Sequence, residues 1–148
     1  MSLIWILVGF VGIEVVATLI HKYLMHGPLW FIHESHHRPK SRIELNDVFA
    51  LIFGGLGIVL LITGSLSAFD YRFWIGLGIS IYGGVYFVLH DVLVHRRMKW
   101  NLKAGSRYIK ALRKAHQMHH KHVNKHPGES YGLLFFNWSY FNSEKSKL

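Results

Sequence analysis

The chain has no cysteine among its 148 residues. That one absence removes disulfide frameworks, thiolate zinc sites, iron–sulfur clusters and thiol nucleophiles together. Acidic residues are scarce as well, with eight Asp and Glu against seventeen Lys and Arg. A carboxylate-bridged di-iron site needs two Glu-x-x-His motifs and further glutamates, and Glu34-x-x-His37 is the one such spacing present. What is abundant is histidine, at twelve residues, so a metal site here is built mainly from imidazole.

Hydrophobic residues make up 51% of the chain, and they are gathered into blocks instead of being spread at amphipathic spacing. Three blocks, 3–20, 48–69 and 73–89, approach the roughly 20 residues that a helix needs to cross a bilayer. The first lacks the basic start and small-residue cleavage site of a signal peptide and runs straight into "HKYLMHG", so it reads as a retained anchor. The length is that of one domain. The expected fold is therefore all-α: an integral membrane helical bundle whose spans extend past the bilayer into a cytoplasmic histidine-rich metal-binding cap, formed by 21–46 and 90–148. A fourth helix around 104–120 belongs to it only if it dips beside the membrane.

The basic residues orient this bundle. Lys22, Arg38, Lys40 and Arg42 follow the first span, ten more fall between Arg96 and Lys125, and the connection between the second and third spans holds Arg72 alone. By the positive-inside rule the N-terminus faces out, and the first loop and the C-terminal part are cytoplasmic. Topology, anionic lipid and an acidic protein partner account for the net charge of +9 better than nucleic acid does.

All twelve histidines lie in two windows, 21–37 and 90–126, which this topology brings to one face of the membrane. Their spacing repeats. His21-x4-His26 is followed by His33-x2-His36-His37, and His90-x4-His95 by His116-x2-His119-His120. On a helix, positions i, i+3 and i+4 lie within about 100° of one another, so each triplet presents its rings to one side. The wide pairs are about 140° and 7.5 Å apart on a straight helix, too splayed for one ion. Either the helix is distorted there or the two rings address different metals. Ten imidazoles exceed what one ion accepts, which favours the second option and two neighbouring ions with about five ligands each. Imidazole suits iron, zinc, copper and nickel alike. His122 and His126 stand outside the pattern and are not expected to be ligands.

The stretch "HESHH" also spells His33-Glu34-x-x-His37, the zinc-peptidase pattern with a glutamate base. That reading leaves His36 and seven other patterned histidines without a role, and Pro39 limits the helix it needs. A non-catalytic metal-binding protein is the remaining alternative. Four polar residues are candidates to support the ligands. Glu14, mid-span, is expected to face the bundle interior and to orient a ligand or a polar network. Asn46 and Asp47 open the second span as a cap or as partners of a ligand histidine, and Asp91 adjoins His90. Glycines 54, 55, 57, 76, 78, 83 and 84 allow close helix packing or leave room for a rigid substrate. The aromatic segment 131–141 is too short to span and is expected at the interface, covering the metal site.

The histidine order resembles that of the fatty acid hydroxylase and sterol desaturase superfamily of membrane non-haem di-iron enzymes. The stretches "HKYLMHGPLWFIHESHHRP", "ELNDVFA", "HDVLVHRR", "HQMHHKH" and "GESYGLLF" narrow the likeness to the bacterial β-carotene hydroxylases. The resemblance implies a monooxygenase of the bacterial inner membrane, with two iron ions on the ten patterned histidines (zinc being possible in overproduced protein) and O₂ as co-substrate. It further implies hydroxylation of carotenoid β-ionone rings at carbon 3 and a ferredoxin-like electron donor. Fatty acyl and sterol hydroxylases or desaturases share the histidine pattern, which does not separate them.

Overall fold

A computed structural model describes residues 1–98, 100, 105–121 and 128–145. Among these residues every regular element is helical. Helix α1 (Ser2–Leu19) continues into a π-helical turn over Ile20–Met25. After it come α2 (Trp30–His37), α3 (Asp47–Leu66) and α4 (Tyr71–Tyr86), the last continuing as a second π-helical stretch over Phe87–Val94. Helices α5 (Arg107–Lys121) and α6 (Ser139–Lys145) complete the order. Three helices are long and apolar enough to cross a membrane, Ser2–Met25, Asp47–Leu66 and Tyr71–Val94. The first and third run several residues beyond the expected spans, carried on by the π turns. The second stops short, because Ser67–Phe69 turn, with Ala68 at φ 54° and Phe69 at φ 58°. Asp70 then caps α4 by accepting from the Arg72 amide at 3.0 Å.

Helix α4 lies between α1 and α3, and glycines let the backbones approach. A Cβ on Gly78 would stand 2.2 Å from the Ile6 carbonyl oxygen, and one on Gly9 2.2 Å from that of Ile75. On the other side, a Cβ on Gly64 would meet the Phe73 amide at 2.1 Å, and one on Gly76 the Gly57 carbonyl oxygen at 2.8 Å. These contacts replace the hydrophobic drive that lipid does not supply.

Helix α5 packs its small apolar face, Ala111, Leu112 and Ala115, against Ile13, Ile79 and Tyr82 with Leu133 and Phe136 of the C-terminal segment. That segment is tied down by Glu14, which is 1% exposed. Its carboxylate accepts from the Leu134 amide at 2.8 Å, the Phe135 amide at 3.2 Å and the Tyr82 hydroxyl. Of the two expectations for Glu14, the polar network is the one the fold builds. The C-termini of α1 and α4 and the N-terminus of α3 meet at one end of the bundle, and the patterned histidines gather there.

Candidate metal centre

Five histidines, His21, His26, His33, His37 and His119, bring ring nitrogens within 4.8 Å of one another, and His36, His95, His116 and His120 do the same beside them. The tenth, His90, lies against the second group, with ring centroids 4.5 Å from His95, 4.9 Å from His116 and 5.0 Å from His36. The Nε2 atom of His90 is 3.4 Å from the Tyr86 hydroxyl. His122 and His126 lie outside the described residues.

The wide pairs come together because the helices are distorted. In the π turns the His26 amide donates to the His21 carbonyl at 3.0 Å, and the His95 amide to that of His90 at 2.8 Å. Widening the turn to i→i+5 places residues five apart one above the other, and the His21 and His26 rings end 5.1 Å apart in a single cluster. For His21 and His26 this corrects the expectation that the two rings of a wide pair address different metals. The triplets, in contrast, are divided. His33 and His37 face the first cluster and His36 the second, whereas His116 and His120 face the second and His119 the first. Each half of the chain thus lends one histidine to the other half's cluster.

Outer partners fix how the rings present themselves. His21 Nδ1–H donates to the Tyr131 carbonyl oxygen at 2.7 Å, and His119 Nδ1–H to that of Glu129 at 2.7 Å. His33 Nδ1–H donates to Asn46 Oδ1 at 2.7 Å, His36 Nδ1–H to Glu44 Oε2 at 2.8 Å, and His90 Nδ1–H to Asp91 Oδ1 at 2.9 Å. With its proton on Nδ1, each ring offers a bare lone pair at Nε2. His21 Nε2 and His33 Nε2 nevertheless stand only 2.9 Å apart. Two lone pairs cannot hydrogen-bond to each other, so a shared cation is what reconciles them. His120 Nε2 is buried with no hydrogen-bond partner among the described residues. At metal–nitrogen bonds of about 2.0–2.1 Å, nitrogens across one ion stand about 4 Å apart, and both clusters are close to that size. The donor set fits a pair of metal ions.

Burial keeps the rings neutral, as ligands need to be. It lowers His33 and His95 from the usual 6.5 to about 3 and His37 to about 2. His36, His116 and His120 are likewise pushed well down by burial, with neighbouring imidazoles adding to the effect.

The fatty acid hydroxylase family model matches residues 6–142. The chain belongs to the fatty acid hydroxylase family. It is 42% identical to a "Beta-carotene hydroxylase" of Pantoea ananas over 131 residues, covering 88% of this chain and 74% of that protein. A protein of the same name from Pseudescherichia vulneris is 37% identical over 131 residues, with the same shares covered. "Beta-carotene 3-hydroxylase 1, chloroplastic" of Arabidopsis thaliana is 41% identical over 128 residues, 84% of this chain and 41% of that protein. No solved structure matches.

In this hydroxylase Asn46 makes no side-chain cap on α3; it holds His33 instead. Asp47 does not touch a histidine in the hydrogen bonds of the described residues. It accepts from the Glu44 amide at 3.0 Å and takes a two-pronged ion pair from Arg97, both contacts at 2.8 Å. Arg97 also reaches Asp91 at 3.6 Å and Glu44 at 4.0 Å, so one guanidinium steadies the carboxylates behind His36 and His90. Glu44 and Arg97 were not foreseen, although "ELNDVFA" and "HDVLVHRR" carry them. The carbonyls of Glu129 and Tyr131 have no sequence signal, since any residue supplies one. Between them Ser130 holds a left-handed φ of 56°. Of the segment 131–141, Tyr131 lies against the site, its ring 5.4 Å from His21 and 5.5 Å from His119, whereas Leu133 and Phe136 pack into the core.

Glu34 points elsewhere. Its Oε1 accepts from Arg38 at 2.9 Å on the exposed side of α2, where it reaches no metal-facing nitrogen. Glu34→Gln is expected to leave turnover within about twofold of the original in an activity assay, where a peptidase-type base would cost at least the 100-fold typical of general-base loss, roughly. Alanine at Asn46 or Glu44 removes a partner from one imidazole of each cluster. We expect about a 10- to 100-fold loss of metal affinity, read as metal retained after dialysis against a chelator.

A cavity of about 430 Å³ lies between α1, α3 and α4, lined by apolar residues such as Ile13, Phe49, Phe53 and Ile79. Its inner end reaches His21, His33, His36, His90 and His116, so it touches both clusters.

Proposed function

We propose that this hydroxylase acts on carotenoids, oxidising carbon 3 of a β-ionone ring and taking β-carotene through β-cryptoxanthin to zeaxanthin. The observation that carries the reading is the apolar cavity that ends on both histidine clusters. The three named relatives support the substrate class. His21, His26, His33, His37 and His119 would hold one iron ion, and His36, His95, His116 and His120 would hold a second with His90 beside them. Bound and reduced, the iron pair supplies O₂ activation. One oxygen atom is placed between carbon and hydrogen, and the other leaves as water with two electrons and two protons.

The chain's own part is positional. The cavity walls hold an apolar ring against the clusters and exclude water, and the Nδ1 bonds of His21, His33, His36, His90 and His119 keep those five rings aimed. An all-nitrogen donor set leaves no thiolate to be oxidised. Electrons come from a ferredoxin-like donor, and an acidic one is drawn to the basic surface that includes Lys110 and Lys121 of α5, both exposed. The metal-bearing end faces the cytoplasm of a bacterial inner membrane with the N-terminus outside, following the basic residues.

Expressed with a ferredoxin system in cells that accumulate β-carotene, the protein is expected to yield hydroxylated pigments. Their absence with metal-loaded protein present would overturn the carotenoid reading. The breadth of the matched family favours a fatty acyl or sterol substrate next, and lipid analysis of the same cells detects it. Purified protein is expected to carry close to two ions per chain, and one would refute the paired site. Zinc in place of iron after overproduction is compatible with imidazole ligands.

A further inference from the structure

The glycines of α3 and α4 are of two kinds. Gly57, Gly64 and Gly76 are in close contact across the helix pair. At Gly54, Gly55, Gly83 and Gly84 an added Cβ would meet nothing within 4 Å, so close packing does not explain these four. The antiparallel register places Gly64 beside Phe73, and Gly57 beside Ile79 and Ser80. One turn further toward the histidines, Gly54 and Gly83 share a level. Both line the cavity that reaches the metal clusters, and both are exposed within helices long and apolar enough to cross a membrane. Gly55 and Gly84 do not line it. The pair α3–α4 is therefore zipped at the end away from the site and parted at the end beside it.

We propose that the parting at Gly54 and Gly83 is a lateral slot through which a rigid conjugated lipid passes from the bilayer, ring first, to the metal clusters. The inference rests on the carotenoid reading and names the residues that set its shape selectivity. A cavity of about 430 Å³ is at the low end of the roughly 300–1,000 Å³ of ligand sites. It takes a ring and the first conjugated carbons of a long polyene, not the whole molecule. The remainder stays in the slot and in lipid, and a stiff chain cannot bend around a side chain placed there. Ala50 and Ile58, also exposed, continue the same edge of α3. A flexible acyl chain has no need of so straight an opening, since it turns at its single bonds.

The test uses full-length protein in lipid nanodiscs with four single variants. Gly54→Leu and Gly83→Leu fill the slot, and Gly55→Leu and Gly84→Leu add the same bulk just outside it. None has a neighbour to displace at Cβ, and leucine is the better helix former, so all four should fold and retain metal. β-Carotene, which is achiral, shows induced circular dichroism in its absorption band when held in a chiral site. We expect that signal with the parent protein and with the Gly55 and Gly84 variants, and at least a tenfold weaker signal with the Gly54 and Gly83 variants. Pigment hydroxylation should fall in the same order, with the outer variants within about twofold of the parent.

Equal dichroism in all four variants would overturn the slot, as would its absence in the parent protein. Binding that obeys the slot without any hydroxylation would sustain the slot and defeat the carotenoid reaction. The two readings therefore fail separately.

Discussion

Replacing His36 with alanine is expected to empty the metal position of His95, His116 and His120, and not that of its sequence neighbours His33 and His37. The reason is the exchange of one histidine between the two triplets. His36 stacks on His90 at 5.0 Å and lies 4.4 Å from His95 and 4.7 Å from His120, whereas His33 and His37 turn toward His26 at 4.9 and 5.1 Å. Double variants read this without a structure, because residues that share one ion do not add. His36→Ala with His116→Ala should retain about one ion per chain, whereas His36→Ala with His33→Ala should retain close to none. Turnover should fall by at least about 100-fold in every case, since removing a ligand is more severe than removing its outer partner. If the first pair lost both ions and the second kept one, the assignment of His36 would be wrong.

Leucine at Gly78 is expected to prevent accumulation of folded protein. The Cβ position there is 2.2 Å from the Ile6 carbonyl oxygen and 2.9 Å from the Phe10 amide. Both are backbone atoms, so neither can rotate away. Restoring ordinary contact moves α1 and α4 apart by more than about 1 Å, given the 3.5–4.0 Å separation of packed atoms. Overpacking costs about 1–3 kcal/mol when side chains can adjust, and more when they cannot; a domain has only about 5–15 kcal/mol to lose. The same shift carries His21 and His26 away from His119, because their π turn extends α1. Gly12→Leu is the control, as an added Cβ there meets nothing within 4 Å. Yield of monodisperse, detergent-solubilised protein and its thermal midpoint separate the two. A Gly78 variant with the parent's midpoint would mean that this close approach is not needed.

Much of this arrangement was legible in the residues. Three apolar blocks fixed the number of long helices, and the repeated histidine spacing marked ten side chains that the fold gathers at one end. The paired distortion was visible only as a choice, since a five-residue spacing suits either a widened turn or two separate ions. For His21 and His26, counting ligands favoured the other branch from the one the fold takes. The exchange of His36 and His119 was out of reach because helical angles relate residues of one helix and say nothing about the neighbouring one. His33 and His36 are about 60° apart around α2, enough to face different groups. Glu14 was legible as a buried polar residue, but besides the Tyr82 hydroxyl its partners are backbone amides of residues 134 and 135, which have no letter of their own. The glycines looked alike in sequence and divided into closed and open sets only when α3 and α4 were placed side by side.

Because of the exchanged histidines, ions bound at both clusters would also act as a clasp on the chain. His26 and His119 lie 93 residues apart, and each group draws on both windows. Ions that join them close a loop of about a hundred residues, a restraint that would be worth about 4–5 kcal/mol for a covalent cross-link of that span. The metal-free chain forgoes that restraint, and its unfolded fraction rises by more than about tenfold if even half of it is lost. Chains that have not met their metal are then the ones cellular proteases remove. The amount of this protein in a membrane should therefore follow the supply of its metal, with no change in its synthesis.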